Sequence, residues 1–223
     1  MALMSVSCDK MKSLTGNSNT TPAYVDPITK FPAEIQGFAP AMVGRFKQNS
    51  AQKLFDVSGG VIGNAEQYAI YYRYADERYK DYYKISFSGY DLQFTVFKTT
   101  SPENAKKRIE KAETDTKKQV PKLKQCDPEY EANNETTGAM PDEIIKRVKH
   151  PKGGDIIIVR HGLFITGNCV SKDNRNDEIN AYWTDGVYLI NASSNYLYKP
   201  ELGVVDGLPI IEDFVNDYVA AVK

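Results

Sequence analysis

From Phe31 onward apolar positions recur in short blocks divided by glycine, proline and Asn/Asp-rich stretches. FPAEIQGF (Phe31 to Phe38) reads as a structured entry, and Leu54 and Phe55 within AQKLFDV (Ala51 to Val57) anchor a short helix or strand. Gly59, Gly60 and Gly63 then break the pattern. Tyr83, Ile85 and Phe87 alternate with Lys84 and Ser86, and after Ser88-Gly89 the chain returns through Leu92, Phe94, Val96 and Phe97. Period-two alternation around a glycine turn predicts a β-hairpin. Ser101 caps and Pro102 opens a helix that runs through SPENAKKRIEKAETDTKKQV and stops at Pro121, with a thin apolar stripe of Ala105, Ile109 and Ala112 and a solvated remainder.

Lys122 to Pro141 is polar and reads as a surface loop, after which Asp142 caps a short helix through Ile145 and Val148. GGDIIIVRHGLFITGNCV is read as a strand, a turn at His161-Gly162 and a returning strand. Thr184-Asp185-Gly186 is the best hairpin turn in the chain. LPIIEDFVNDYVAAVK places Ile210 or Ile211, Phe214, Tyr218 and Ala221 on one face at helical spacing. The order of hairpin, helix, two hairpins and helix predicts an α+β fold, with an antiparallel sheet built from successive hairpins and helices packed on one side. Residues 1–30 are expected to be a leader and polar tether, and 31–223 a single α+β globular domain.

Composition narrows the function classes. The 223 residues carry 28 Lys+Arg against 29 Asp+Glu, a net charge of -1, so the basic excess that nucleic-acid binding needs is missing. No apolar run reaches membrane-spanning length. Neither GxGxxG nor GxxxxGKS occurs, nor HExxH or GxSxG, and only two histidines are present. No cofactor, metal site or catalytic residue is assigned from the sequence.

The N-terminal stretch MALMSVS ends at Cys8 and is followed by Asp9-Lys10 and the polar tract SLTGNSNTTP. That order resembles the end of a bacterial lipoprotein signal and its tether. The resemblance implies lipidation at Cys8 and an extracytoplasmic location, in the periplasm or at the cell surface, with membrane contact only through the lipid. A basic n-region and a full apolar h-region do not precede Cys8, and Ser5 stands where such signals carry Leu, so an ordinary cysteine in a leader stays open beside it. Cys126 and Cys169 are a candidate disulfide pair in an oxidising compartment, with two unrelated thiols as the other reading.

Two constellations bear on function. Eight tyrosines between Tyr68 and Tyr90 interleave with Arg73, Arg78, Lys80 and Lys84. Tyrosine combines an apolar face with a hydrogen-bonding tip, so Tyr68, Tyr72, Arg73, Tyr74 and Tyr83 are the candidate ligand-binding residues, for a protein, small-molecule or glycan partner; the alternative is a plain tyrosine-rich sheet. Ile158-Val159-Arg160-His161-Gly162 resembles the RHG signature of histidine phosphatases. That resemblance implies a phosphoester hydrolase using Arg160 and His161, although the family's second downstream histidine is missing.

LFDVSGGVIGNAEQYAIYYRY, with LQFTVFKTT and SPENAKKRI behind it, resembles a group of uncharacterised bacterial exported domains, through Ala65, Glu66 and Tyr68 and through Ser101 to Ala105. The resemblance implies export and brings no activity. The sequence therefore points first to a non-enzymatic extracytoplasmic binding or accessory protein tethered through Cys8, and after that to the hydrolase or to a structural subunit of a larger assembly.

Overall fold

The computed structural model describes residues 31–74, 92–118, 138–139, 141–165, 175–195, 197–199, 203–205 and 207–222. Cys8, Tyr83, Cys126 and Cys169 lie outside the described residues, as do the predicted strand around Ile85 and the 122–137 loop.

A short helix α1 (Ala33–Gln36) leads into strands β1 (Met42–Val43), β2 (Phe46–Val57), β3 (Ala65–Tyr74) and β4 (Leu92–Thr99). Helix α2 (Pro102–Thr116) follows, then β5 (Gly138–Ala139), β6 (Glu143–Lys149), β7 (Asp155–Ile165), β8 (Arg175–Asp185) and β9 (Tyr188–Asn195). These nine strands form one sheet in the order β1-β2-β3-β4-β9-β8-β7-β5, with β6 also on β7. Every pairing is antiparallel. A small pair, β10 (Leu197–Lys199) and β11 (Gly203–Val205), precedes helix α3 (Leu208–Ala221). Two meanders, β2-β3-β4 and β7-β8-β9, are thus zipped into one sheet along β4 and β9, from Gln93↔Ser193 to Lys98↔Tyr188.

The expected α+β arrangement with helices on one side is not what the chain adopts. The fold is β-rich, and its two long helices cover opposite faces of the sheet. Strand β7 shows why. Ile156, Ile157, Ile158 and Val159 are all buried, and because successive strand residues point to opposite faces, Ile156 and Ile158 join the cluster of α3 while Ile157 and Val159 join that of α2. An uninterrupted apolar run is what a strand covered on both faces requires.

On one face α3 buries Ile210, Ile211, Phe214, Val215 and Tyr218, with the Phe214 ring edge-on to Phe46 at 5.2 Å. On the other, α2 sets Ala105 and Ala112 against Ile157, Val159, Tyr182 and Leu189. Helix α2 begins where Ser101-Pro102 predicts, with the Ser101 hydroxyl accepting from the Asn104 amide at 3.2 Å.

Two further expectations are corrected. The stretch after Asp142 is strand β6, paired with β7 from Glu143↔Arg160 to Lys149↔Asp155. Asp142 caps nothing there, because its carboxylate is drawn to Arg108. His161-Gly162 is not a turn: β7 passes through it to Ile165, with a register shift between His161 and Phe164. The hairpin at Asp185-Gly186 is present, Asp185 pairing Tyr188 across it, and Gly186 takes φ +56°, as a tight II′ connection demands at its first central position.

Candidate functional site

Alternation along β3 separates the tyrosine candidates. Tyr68 and Tyr72 belong to the core cluster beneath α3, while Arg73, one position on, is exposed. The Tyr72 ring is fully buried against Phe94 and Phe214, and its hydroxyl donates to the Pro40 carbonyl at 2.7 Å. Tyr68 packs on Phe31 and donates its hydroxyl to the Glu66 carboxylate. That bond holds the Glu66 carboxyl below its usual range, and burial together with the same bond pushes the Tyr68 phenol up. Tyr74 closes β3 opposite Phe46. Tyr68 and Tyr72 thus face the core and Arg73 the opposite side of β3.

Arg160, from the phosphatase-like motif, donates from Nη1 to Glu143 Oε2 at 3.1 Å across the β6–β7 pair, and the His161 backbone stands opposite Glu178. The side chain of His161 lies outside the described set.

A site that sequence reading did not find lies on the α2 face. The central strands put polar side chains in register there: Gln93, Ser193 and Asn180 form one row across β4, β9 and β8, and Thr95, Asn191 and Tyr182 the next. Helix α2 borders one side of these rows and the Val57–Ile62 segment another, leaving an open-sided cavity of about 340 Å³ also lined by Gln67, Phe97, Leu189, Arg108 and Glu178. Gly59 and Gly60 let that covering segment turn, at φ +79° and +67°.

The floor of the cavity is made of buried neutral hydrogen-bonding groups. Asn180 is 2% exposed, Thr95 2% and Asn191 7%. Asn191 Nδ2 donates to Asn180 Oδ1 at 2.8 Å, and Gln93 Nε2 donates to Thr95 Oγ1 at 3.2 Å. Asn180 Nδ2 is buried with no acceptor among the described residues. Buried donors are almost always satisfied, so this one marks a place where something else accepts.

The roof is charged but already paired. The Arg108 guanidinium lies 4.5 Å from the Tyr182 ring centre, and its Nη1 donates to Asp142 Oδ2 at 2.5 Å. Burial alone would make Arg108 less basic; Tyr182 and Asp142 outweigh it and keep the guanidinium charged. Burial pushes the Tyr182 phenol up to about 12, so its hydroxyl remains protonated at neutral pH. Lys111 Nζ lies 3.5 Å from the same Asp142 oxygen and also meets Asp115, which Lys118 reaches at 2.6 Å.

The signal for Arg108 was present in the chain. It sits three residues after Ala105 and four before Ala112, with Asp115 three further on, which is the inward stripe of a helix. Arg and Asp are ordinarily exposed types, so the expected apolar stripe is Ala105, Ile109 and Ala112, whereas the buried residues are Ala105, Arg108, Ala112 and Asp115.

Among the described residues no group of three or more His, Cys, Asp or Glu is arranged to hold a metal ion, and no helix is long and apolar enough to cross a membrane. No protein-family model, curated protein or solved structure matches the chain.

Proposed function

We propose that the protein is a non-enzymatic extracytoplasmic binding or accessory protein, tethered to a membrane through Cys8, whose ligand occupies the cavity beneath α2. The observation that carries this reading is the cavity floor: neutral amides and hydroxyls from adjacent strands, held on a rigid sheet, with one buried donor open to an acceptor. A few fixed polar groups in a partly apolar concave site are what small-molecule recognition requires. The Cys8 context and the polar tract behind it support the tether.

Two measurements test the reading. A fragment library titrated into isotope-labelled protein should shift the Asn180 and Asn191 side-chain amide resonances, and any bound compound should be recovered chemically unchanged by mass spectrometry. Turnover of the bound compound would refute the non-enzymatic part. Metabolic labelling with a radioactive fatty acid in a bacterial host should mark the protein and spare the Cys8→Ser variant; unlabelled wild-type protein would refute the tether.

A further inference from the structure

We propose that the cavity takes an uncharged, polyhydroxylated ligand of the sugar class, one of whose oxygens accepts a hydrogen bond from Asn180 Nδ2. This rests on the reading of the cavity as a binding site and adds the chemistry of what it binds.

The argument runs by elimination among ligand charges and then by complementarity. An anion would need a free cation, yet the Arg108 guanidinium already gives Nη1 to Asp142 at 2.5 Å and lies over the Tyr182 ring. With Glu178 at the same cavity, the carboxylates near Arg108 leave no positive excess to attract a negative group. A cation could pair with Glu178 alone, since Asp142 is already held by Arg108 and Lys111, and, being a donor only, it would leave Asn180 Nδ2 without an acceptor. A wholly apolar ligand would leave Asn180 Nδ2 desolvated and unmatched, which is the costly outcome for a buried amide.

A neutral polyol meets each of these conditions. Its hydroxyls both donate and accept, matching a floor where amides and hydroxyls alternate. Asn180 Oδ1 already accepts from Asn191 while Nδ2 is open, so the donor is the part of this amide left unmatched. The Thr95 hydroxyl, which accepts from Gln93, has its own proton to give. Phe97, Leu189 and Ile62 supply an apolar wall for the C–H face that a sugar ring presents edge-to-edge with its hydroxyls. The volume is at the small end of ligand pockets, which run from about 300 to 1,000 Å³, and so suits one or two sugar rings.

The test uses the full isotope-labelled chain with D-glucose, D-galactose, N-acetyl-D-glucosamine and maltose as neutral probes, dextran as a chain-linked one, and D-glucuronate and D-glucosamine as charged counterparts. At least one neutral probe should shift the Asn180 and Asn191 side-chain amide peaks saturably at millimolar concentration. Response to dextran would assign a glycan source, and response to the small probes alone a free sugar. Asn180→Asp, which keeps the acceptor for Asn191 and removes the open donor, should weaken that probe at least tenfold. Ser193→Leu, which fills the cavity from a half-buried position in its floor, should abolish it with the rest of the spectrum unchanged; this second variant serves if the first fails to fold. Shifts produced only by glucuronate or glucosamine would overturn the assignment to an uncharged ligand and leave the binding reading standing. Silence toward every probe would overturn the sugar assignment, and silence toward the fragment library as well would remove the binding reading with it.

Discussion

Arg108 Nη1 donates to Asp142 Oδ2 at 2.5 Å across 34 residues of sequence, and the two side chains are 10% and 1% exposed. This pair ties the middle of α2 to the entry of β6 and forms part of the cavity roof. Removing one partner from a buried pair leaves the other charge desolvated, a loss of about 3–5 kcal/mol. Arg108→Met should therefore fall near the low end of that range, because Lys111 Nζ, 3.5 Å from the same Asp142 oxygen, can take over part of the compensation. The double variant Arg108→Met with Asp142→Leu should lose less than the two single losses together. Urea unfolding of the four proteins in the cycle measures both; strict additivity would show that the pair is not coupled.

The elements that were legible in the chain are those whose signal is local. Ser101-Pro102 starts α2, Asp185-Gly186 turns β8 into β9, and the Ile210–Tyr218 spacing makes α3. What was not legible depends on partners far away in sequence. EIIKRVK can be read as about two turns of amphipathic helix or as a strand, and only β7 beside it decides. The IIIV run signals burial on both faces, yet which helix covers which face follows from the zipper of β4 and β9. Gln93, Thr95, Asn191 and Ser193 each sit on a strand whose polar side would ordinarily face water. They become a cavity floor only when the register aligns them and α2 borders them, which no single stretch encodes.

His150 gives stability a dependence on mild acid. Its ring stacks at 6.3 Å on Trp183 and neighbours Tyr218; Nδ1 accepts from the Lys152 amide at 3.2 Å, and Nε2 is buried without a partner among the described residues. Burial, aided by the Lys152 charge and opposed by Asp185, holds the imidazole below its ordinary 6.5. The unfolded chain therefore binds this proton more readily than the folded one, so stability is full above pH 6.5 and falls as pH drops from there toward the folded value. Thermal unfolding between pH 7.5 and 5.5 should show a decline that His150→Asn, which keeps an acceptor for Lys152, reduces. An identical slope in the variant would assign the decline to other groups.

Gly44 turns β1 into β2 at φ +52°, and a Cβ there would collide with the Asp217 side chain on α3. The same carboxylate accepts from the Arg45 amide at 3.3 Å and lies 3.6 Å from the Arg45 guanidinium. Gly44→Ala thus combines backbone strain with displacement of a side chain that anchors α3 to the edge hairpin. A residue held against its backbone preference costs about 1–3 kcal/mol, and this variant should lose that much in denaturant unfolding. Asp217→Ala removes the carboxylate and leaves the Asp217 Cβ, 2.7 Å from where the new Cβ would stand, so Gly44→Ala introduced into that background should cost less than in the wild type; an equal cost would show that the carboxylate adds nothing to the clash.

Helices on opposite faces should be energetically independent, and helices on one face should not. Ile211 on α3 and Ile157 on β7 are both buried, in separate clusters on the two sides of the sheet. Ile→Val at each should cost about 0.5–1.5 kcal/mol, and the double variant should equal their sum within about 0.5 kcal/mol, as expected of sites without shared partners. Phe94 and Phe214 are the contrasting pair, with ring centres 5.9 Å apart in the same cluster. There Phe→Leu at both should depart from additivity by at least about 0.5 kcal/mol, since each ring forms a wall of the other's site. Coupling in the Ile157 and Ile211 cycle as large as in the phenylalanine cycle would mean that the sheet transmits packing changes between its faces, and that the two clusters behave as one core.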